Sequence, residues 1–182
     1  DLDLIVNISC TLSFIHNNSV KKVHMFGSSC KEIITIGAAA VGLGMFEQVS
    51  FDSRTWNTLM FNSRVPIYIK PVTLKREPVY NLNKLEIQAS DWLSIDARLQ
   101  EYMLTDLGRA QLLMLHNAFA ISHFAKNMSK RAKDIDKFKE YSSQLSYYRS
   151  RKINVLRAID ILKMSKNSGY DNVRNRLRGI WK

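Results

Sequence analysis

Leu2-Asp3-Leu4-Ile5-Val6-Asn7-Ile8-Ser9-Cys10-Thr11-Leu12-Ser13-Phe14 is the stretch on which a reading of the fold turns. Leu2, Leu4, Val6, Ile8, Cys10, Leu12 and Phe14 fall on every second position, with Asp3, Asn7, Ser9, Thr11 and Ser13 between them. Only Ile5 breaks the alternation. A period of two places the apolar set on one face of an extended chain and the polar set on the other, which predicts a long strand in an antiparallel sheet with one solvated face.

Outward from that stretch the same logic builds a β-rich first half. Asn17-Asn18-Ser19 supplies turn chemistry before a second strand at about Val20 to Phe26. Ser29 and Glu32 then stand at capping-box spacing before an apolar run containing Ala38-Ala39-Ala40, which predicts a helix from about 30 to 41 with a glycine-rich exit at Gly42 and Gly44. The apolar stretch Ile33 to Phe46 falls short of the roughly 20 residues that cross a bilayer as a helix, so no transmembrane segment is expected. From Val49 to Leu74 β-branched and aromatic residues are dense, and Pro66, Pro71 and Pro78 confine the strands there to edges or ends.

Near residue 90 the apolar period lengthens to three and four. Ser90 is placed to cap a helix carrying Trp92, Leu93, Ile95, Leu99 and Tyr102, and Thr105-Asp106 to start another carrying Leu107, Leu112, Leu115, Phe119 and Phe124. A third helix is expected from about Lys133 to Lys166, stopping at Ser168-Gly169, with a short basic helix or tail from Tyr170 to Lys182. The fold class read from the sequence is therefore α+β, with an antiparallel β-rich core region at 1–88 holding one helix and a basic region of three to four helices at 89–182, the two expected to form one continuous structural unit.

The charge is as unevenly placed as the secondary structure. The 182 residues carry a net charge of +11, yet residues 1–120 hold as many acids as bases, 11 of each, and the whole excess lies in 121–182 with 16 Lys and Arg against five Asp and Glu. Crowding like charges into one segment is unfavourable unless a polyanion offsets it. Three clusters carry the excess: Lys130-Arg131 with Lys133; Tyr148-Arg149 with Arg151-Lys152; and Arg174, Arg176 and Arg178 up to Trp181-Lys182. Basic residues neutralise phosphates and release counterions, and interleaved Tyr and Trp can stack on unpaired bases, so these twelve residues form the candidate nucleic-acid site. The bland alternative is a soluble basic surface with its tyrosines packed in helices.

Other chemistries fare worse. Cys10, His16, His24 and Cys30 lack the paired short spacings of zinc sites, and His116 and His123 lie on one helical stripe among apolar residues with no third ligand evident, so no metal or other cofactor is expected. No Walker loop, dinucleotide fingerprint, nucleophile elbow or His-Glu-x-x-His helix occurs, and the expectation is a protein that is not an enzyme, short of one built from catalytic residues far apart in sequence. Two cysteines suit a reducing compartment, and the sequons at Asn7, Asn17 and Asn127 are read as chance.

A long first strand from Leu2 to Phe14, the helix around Ala38-Ala39-Ala40, further strands and then basic helices resemble in layout the matrix proteins of rhabdoviruses and related negative-strand RNA viruses. The resemblance covers roughly the first half of the chain. It implies a structural protein of the virion or the host cytoplasm and nucleus that condenses a nucleocapsid, self-associates as a homo-oligomer and lies against an anionic membrane. Its partner would be RNA or nucleoprotein. A host-type RNA-binding or ribosome-associated protein and a peripheral membrane protein are the alternatives.

Overall fold

The computed structural model describes residues 4–26, 30–52, 65–81, 105–147 and 151–180, with side chains at 106 and 176–180 outside that description. Among the described residues there are six helices and four short strands: α1 (Leu4–Asn17), β1 (Lys22–Met25), α2 (Lys31–Gly42), β2 (Gln48–Phe51), β3 (Ile67–Ile69), β4 (Arg76–Pro78), α3 (Asp106–Arg131), α4 (Ile135–Gln144), α5 (Lys152–Ser168) and α6 (Tyr170–Ile180). They form two compact units, residues 1–52 with 125–182, and residues 53–124. The helix proposed to start at Ser90 lies outside the described residues.

The opening stretch is a helix, which overturns the β-rich first half. Its buried residues are Ile5, Val6, Ser9, Leu12 and Ser13, a stripe at helical spacing that includes the one residue breaking the alternation. The serines made the strand reading look sound, because a polar residue at every second position mimics a solvated face. Here Ser9 Oγ donates to the Val6 carbonyl at 2.7 Å and Ser13 Oγ to the Ser9 carbonyl at 2.9 Å, so both hydroxyls are satisfied inside the helix and can be buried. Conversely Leu4 and Phe14, assigned to the buried face of a strand, are 59% and 53% exposed. A helix also satisfies its own backbone, whereas a thirteen-residue strand would need an equally long neighbour, and no described strand exceeds four residues.

The antiparallel expectation is corrected as well. β1 and β2 pair in parallel, in register from Lys22 opposite Gln48 to Met25 opposite Phe51, and α2 is the crossover between them. Parallel neighbours require such a connection, and the predicted order of strand, helix, strand already supplied one. Only β3 and β4 are antiparallel, from Ile67 opposite Pro78 to Ile69 opposite Arg76. Pro78 ends a strand, where its missing N–H costs no ladder bond.

α2 is the centre of the first unit. Nine consecutive residues, Glu32 to Ala40, are buried, because α1, α4 and α5 pack against it and β2 covers a further side. Gly37 permits the last contact: a Cβ there would stand 2.5 Å from Phe51 Cζ and 3.0 Å from Val49 Cγ1. The apolar stretch that raised the question of a membrane is thus spent on the core, with Met45 and Phe46 also buried.

The single helix expected from Lys133 to Lys166 is two. α4 ends at Leu145, whose backbone turns extended (φ −72°, ψ 142°), and α5 starts at Lys152, so the pair folds back as a hairpin. No Gly or Pro marks the break. Two cross-links between the antiparallel helices define it: Lys163 Nζ reaches Asp136 Oδ1 at 2.7 Å, and Lys139 pairs with Asp160. After α5, Gly169 at φ +80° makes the predicted stop, and α6 turns back so that Val173 packs with Val6 and Ile161.

In the second unit the two-stranded ribbon is tied to α3 through polar side chains. Asn117 Oδ1 accepts the Ile69 N–H at 2.9 Å, Asn117 Nδ2 donates to the Ile67 carbonyl at 2.8 Å, and the buried His116, stacked on Tyr68, donates Nε2–H to the Ile69 carbonyl at 2.9 Å. Asn117 imitates an adjacent strand, offering one acceptor and one donor to alternate backbone groups. Asn117→Ala would leave a buried N–H and a carbonyl unpaired, so thermal or urea unfolding should show a loss of about 3 kcal/mol. A loss under about 0.5 kcal/mol would mean that water replaces the amide without cost.

Candidate nucleic-acid interface

The first basic cluster sits at a corner where helices end. α1 arrives with His16 Nδ1–H donating to the Met45 carbonyl at 2.8 Å, and α5 arrives with Lys166 Nζ reaching the Gly44 carbonyl at 3.4 Å. α2 ends at Gly42, and the turn after α3 lies on it so closely that a Cβ at Gly42 would stand 2.0 Å from the Ala132 carbonyl oxygen. Four helix C-termini therefore meet at one turn. Each is the negative end of a helix dipole, and cations near such ends stabilise them by about 0.3–1 kcal/mol each. Lys130, Arg131 and Lys133 flank Ala132 at this corner and are exposed. Arg131 lies 4.1 Å over the Tyr141 ring.

The second cluster lies at the opposite end of α5. Arg151 is its N-cap and Lys152 its first residue. A cation at a helix N-terminus faces the positive end of the macrodipole and gains nothing from it. Lys31 begins α2 at the same end, where partial burial pulls its pKa down and its Nζ donates to the Ser146 carbonyl at 2.6 Å. Beside it is a packed polar group: Glu32 is buried, and burial pushes the Tyr147 hydroxyl, set against Thr35 and Ser142, up to about 12. Tyr147 is thus a structural residue of the α2–α4 contact. Tyr148 and Arg149 lie outside the described residues.

α5 has 17 residues, so about 25 Å separate the two clusters. Of the third cluster, Arg174 is exposed beside the buried Val173, Arg176 and Arg178 belong to α6 without a description of their side chains, and Trp181 and Lys182 lie outside the described residues. The described members of the twelve therefore do not form a single patch. Lys130, Arg131 and Lys133 mark one end of α5, Arg151 and Lys152 the other, and Arg174 stands on α6.

The decisive feature is which cations meet acids. Asp134 takes Lys137 at 3.0 Å, Asp136 takes Lys163, and Asp160 takes Lys139, so three of the five acids in 121–182 are engaged by lysines outside the predicted clusters. Hydrogen bonds from Lys137 hold the Asp134 carboxyl below its usual range, and the Asp136 carboxylate raises the Lys163 ammonium. Lys130, Lys133, Lys152 and Arg174 form no ion pair among the described residues, and all four are exposed. Sequence reading found the crowding of charge; the sorting of lysines into paired and unpaired needed the α4–α5 hairpin, which joins residues 21 and 27 positions apart.

Other candidate chemistry does not assemble. Cys10 lies on α1 with its thiol raised by burial, His16 is bound to Met45, His24 Nδ1 meets Ser50 Oγ at 2.9 Å and Cys30 is the N-cap of α2, so the four residues weighed for zinc stand in separate contacts. No group of three metal-binding side chains occurs among the described residues. No helix among them is long and apolar enough to cross a membrane. Compared with protein-family models, with curated proteins and with solved structures, the chain finds no match.

Proposed function

We propose that this chain is a non-enzymatic assembly protein that binds RNA or a nucleoprotein through its basic helices. The single observation behind this reading is the set Lys130, Lys133, Lys152 and Arg174, exposed and without an ion pair among the described residues, while neighbouring lysines take acids of the same region. Arg151 and Lys152 add weight, because their position opposes the dipole of the helix they begin. Phosphates are the natural complement to such a surface, and the resulting affinity comes from counterion release. A matrix-type role, in which the protein coats a nucleocapsid and self-associates, is the specific form proposed. Of the two features behind the likeness to matrix proteins, the alanine helix stands as α2 and the long first strand is the helix α1. Contact with an anionic membrane would not draw on the apolar run Ile33 to Ala40, which is buried.

Titration of a single-stranded RNA with the full chain at several salt concentrations tests the reading. Affinity should fall linearly on a log–log plot with a slope of about −3 or steeper, as expected for four or more phosphates neutralised. Weak binding with a slope near zero would overturn it. Binding without growth of particles by light scattering would support the host-type, monomeric alternative over the matrix role.

A further inference from the structure

The two small sheets treat their edges differently. The outer side of β3 is closed by Asn117 and His116, which take the Ile67 and Ile69 backbone groups. Among the described residues β1 has no such cover. Lys21 O accepts the N–H groups of Glu47 and Gln48, and Met25 O accepts that of Asp52, so the backbone groups of alternate residues 21, 23 and 25 aim at β2. Those of Lys22 and His24 point the other way, and among the described residues they meet no hydrogen-bond partner. An exposed edge of this kind is a template for another strand.

The side chains state what that strand would carry. Lys22 and His24 share the solvent face of the sheet, while Val23 and Met25 share the half-buried face beside Val49 and Phe51, under which Gly37 of α2 packs. An incoming strand continues both faces, so every second side chain lies beside Lys22 and His24 and the others extend the apolar face. Lys21 is exposed as well, and Phe26, 80% exposed, ends the strand with an apolar surface. The first unit as a whole is strongly basic, which makes a second copy of this chain a poor complement and an acidic partner a good one.

We infer that the outer edge of β1 is a docking site for an extended segment of a partner protein in which acidic and apolar residues alternate. The added strand pairs its backbone with Lys22 and His24, sets its carboxylates against Lys22, and lays its apolar side chains along Val23 and Met25. His24 already has Asp52 at 3.9 Å, so the Lys22 end carries most of the charge selectivity. This surface involves none of the residues in the proposed RNA interface.

The test uses the full chain and a capped synthetic peptide of alternating valine and glutamate, followed by fluorescence anisotropy and by amide hydrogen exchange. The peptide should bind, slow exchange at the Lys22 and His24 amides, and lose about tenfold in affinity against the Lys22→Glu variant. The same peptide with alternate backbone nitrogens methylated should not bind, a control that does not depend on the variant folding. The RNA salt slope of Lys22→Glu should equal that of the parent, which separates failure here from failure of the RNA reading. Equal binding of the methylated peptide, unchanged exchange at Lys22 and His24, or protection of those amides by a dimer of the chain without peptide would each overturn the inference.

Discussion

Gly42→Ala should lower the melting temperature by about 10 °C, corresponding to about 3 kcal/mol for a chain of this size. Helix propensity argues the other way, because alanine is favoured over glycine inside a helix by about 1 kcal/mol. Geometry decides the sign. The new methyl would stand 2.0 Å from the Ala132 carbonyl oxygen and 2.7 Å from its carbon, so the contact is with backbone that cannot rotate away. Relief requires moving the turn between α3 and α4, the element that carries Lys130, Arg131 and Lys133. RNA affinity should therefore fall together with stability. Gly44→Ala is the matched control: its Cβ meets nothing within 4 Å, and only its φ of +66° penalises the side chain, at about 1 kcal/mol. Differential scanning calorimetry of the two variants tests the ordering, and an unchanged melting temperature for Gly42→Ala would show that the two turns do not touch.

The second large effect concerns the two ends of α5. Neutralising Lys130, Arg131 and Lys133 to Gln should reduce the magnitude of the salt slope for single-stranded RNA by about 2, and neutralising Arg151 and Lys152 as well should bring the reduction to roughly 3.5. The reductions should add, since about 25 Å lies between the ends and no described side chain joins them. RNA too short to reach along α5 should respond to one cluster and ignore the other. The first cluster also carries a stability cost, because its cations face four helix C-termini; the second carries none of that kind. If the clusters served only as helix-end stabilisers, the first triple variant would melt earlier while both slopes stayed put.

Much of the local grammar was legible in the sequence. The strand near Val20, the start at Thr105, whose Oγ1 accepts the Gly108 N–H at 3.0 Å, and the stop at Gly169 all follow from turn and cap chemistry that acts within a few residues. The helix after Cys30 stands where it was expected, but its N-cap is Cys30 without a side-chain cap bond, and Ser29 lies outside the described residues. The opening helix was hidden because serine can be buried in a helix by bonding one turn back, so its polarity said nothing about exposure. The break between α4 and α5 was hidden because it has neither Gly nor Pro and is held by the Asp136–Lys163 and Asp160–Lys139 pairs, whose partners are remote in sequence. Charge density was visible, but charge pairing is a tertiary property. Only the Asp134–Lys137 pair, three residues apart on one helix, could have been read beforehand.

That distinction supplies the most direct test of the central claim. Two variants with the same net charge are compared for RNA binding against salt: Lys130, Lys133 and Lys152 to Gln in one, and Lys137, Lys139 and Lys163 to Gln in the other. The first removes exposed cations that have no acid partner among the described residues and should cut the magnitude of the slope by about 2. The second removes lysines already engaged by Asp134, Asp160 and Asp136, and should leave the slope near that of the parent. Equal reductions in both would contradict the account, because binding would then follow bulk charge and not the exposed cations that meet no acid among the described residues.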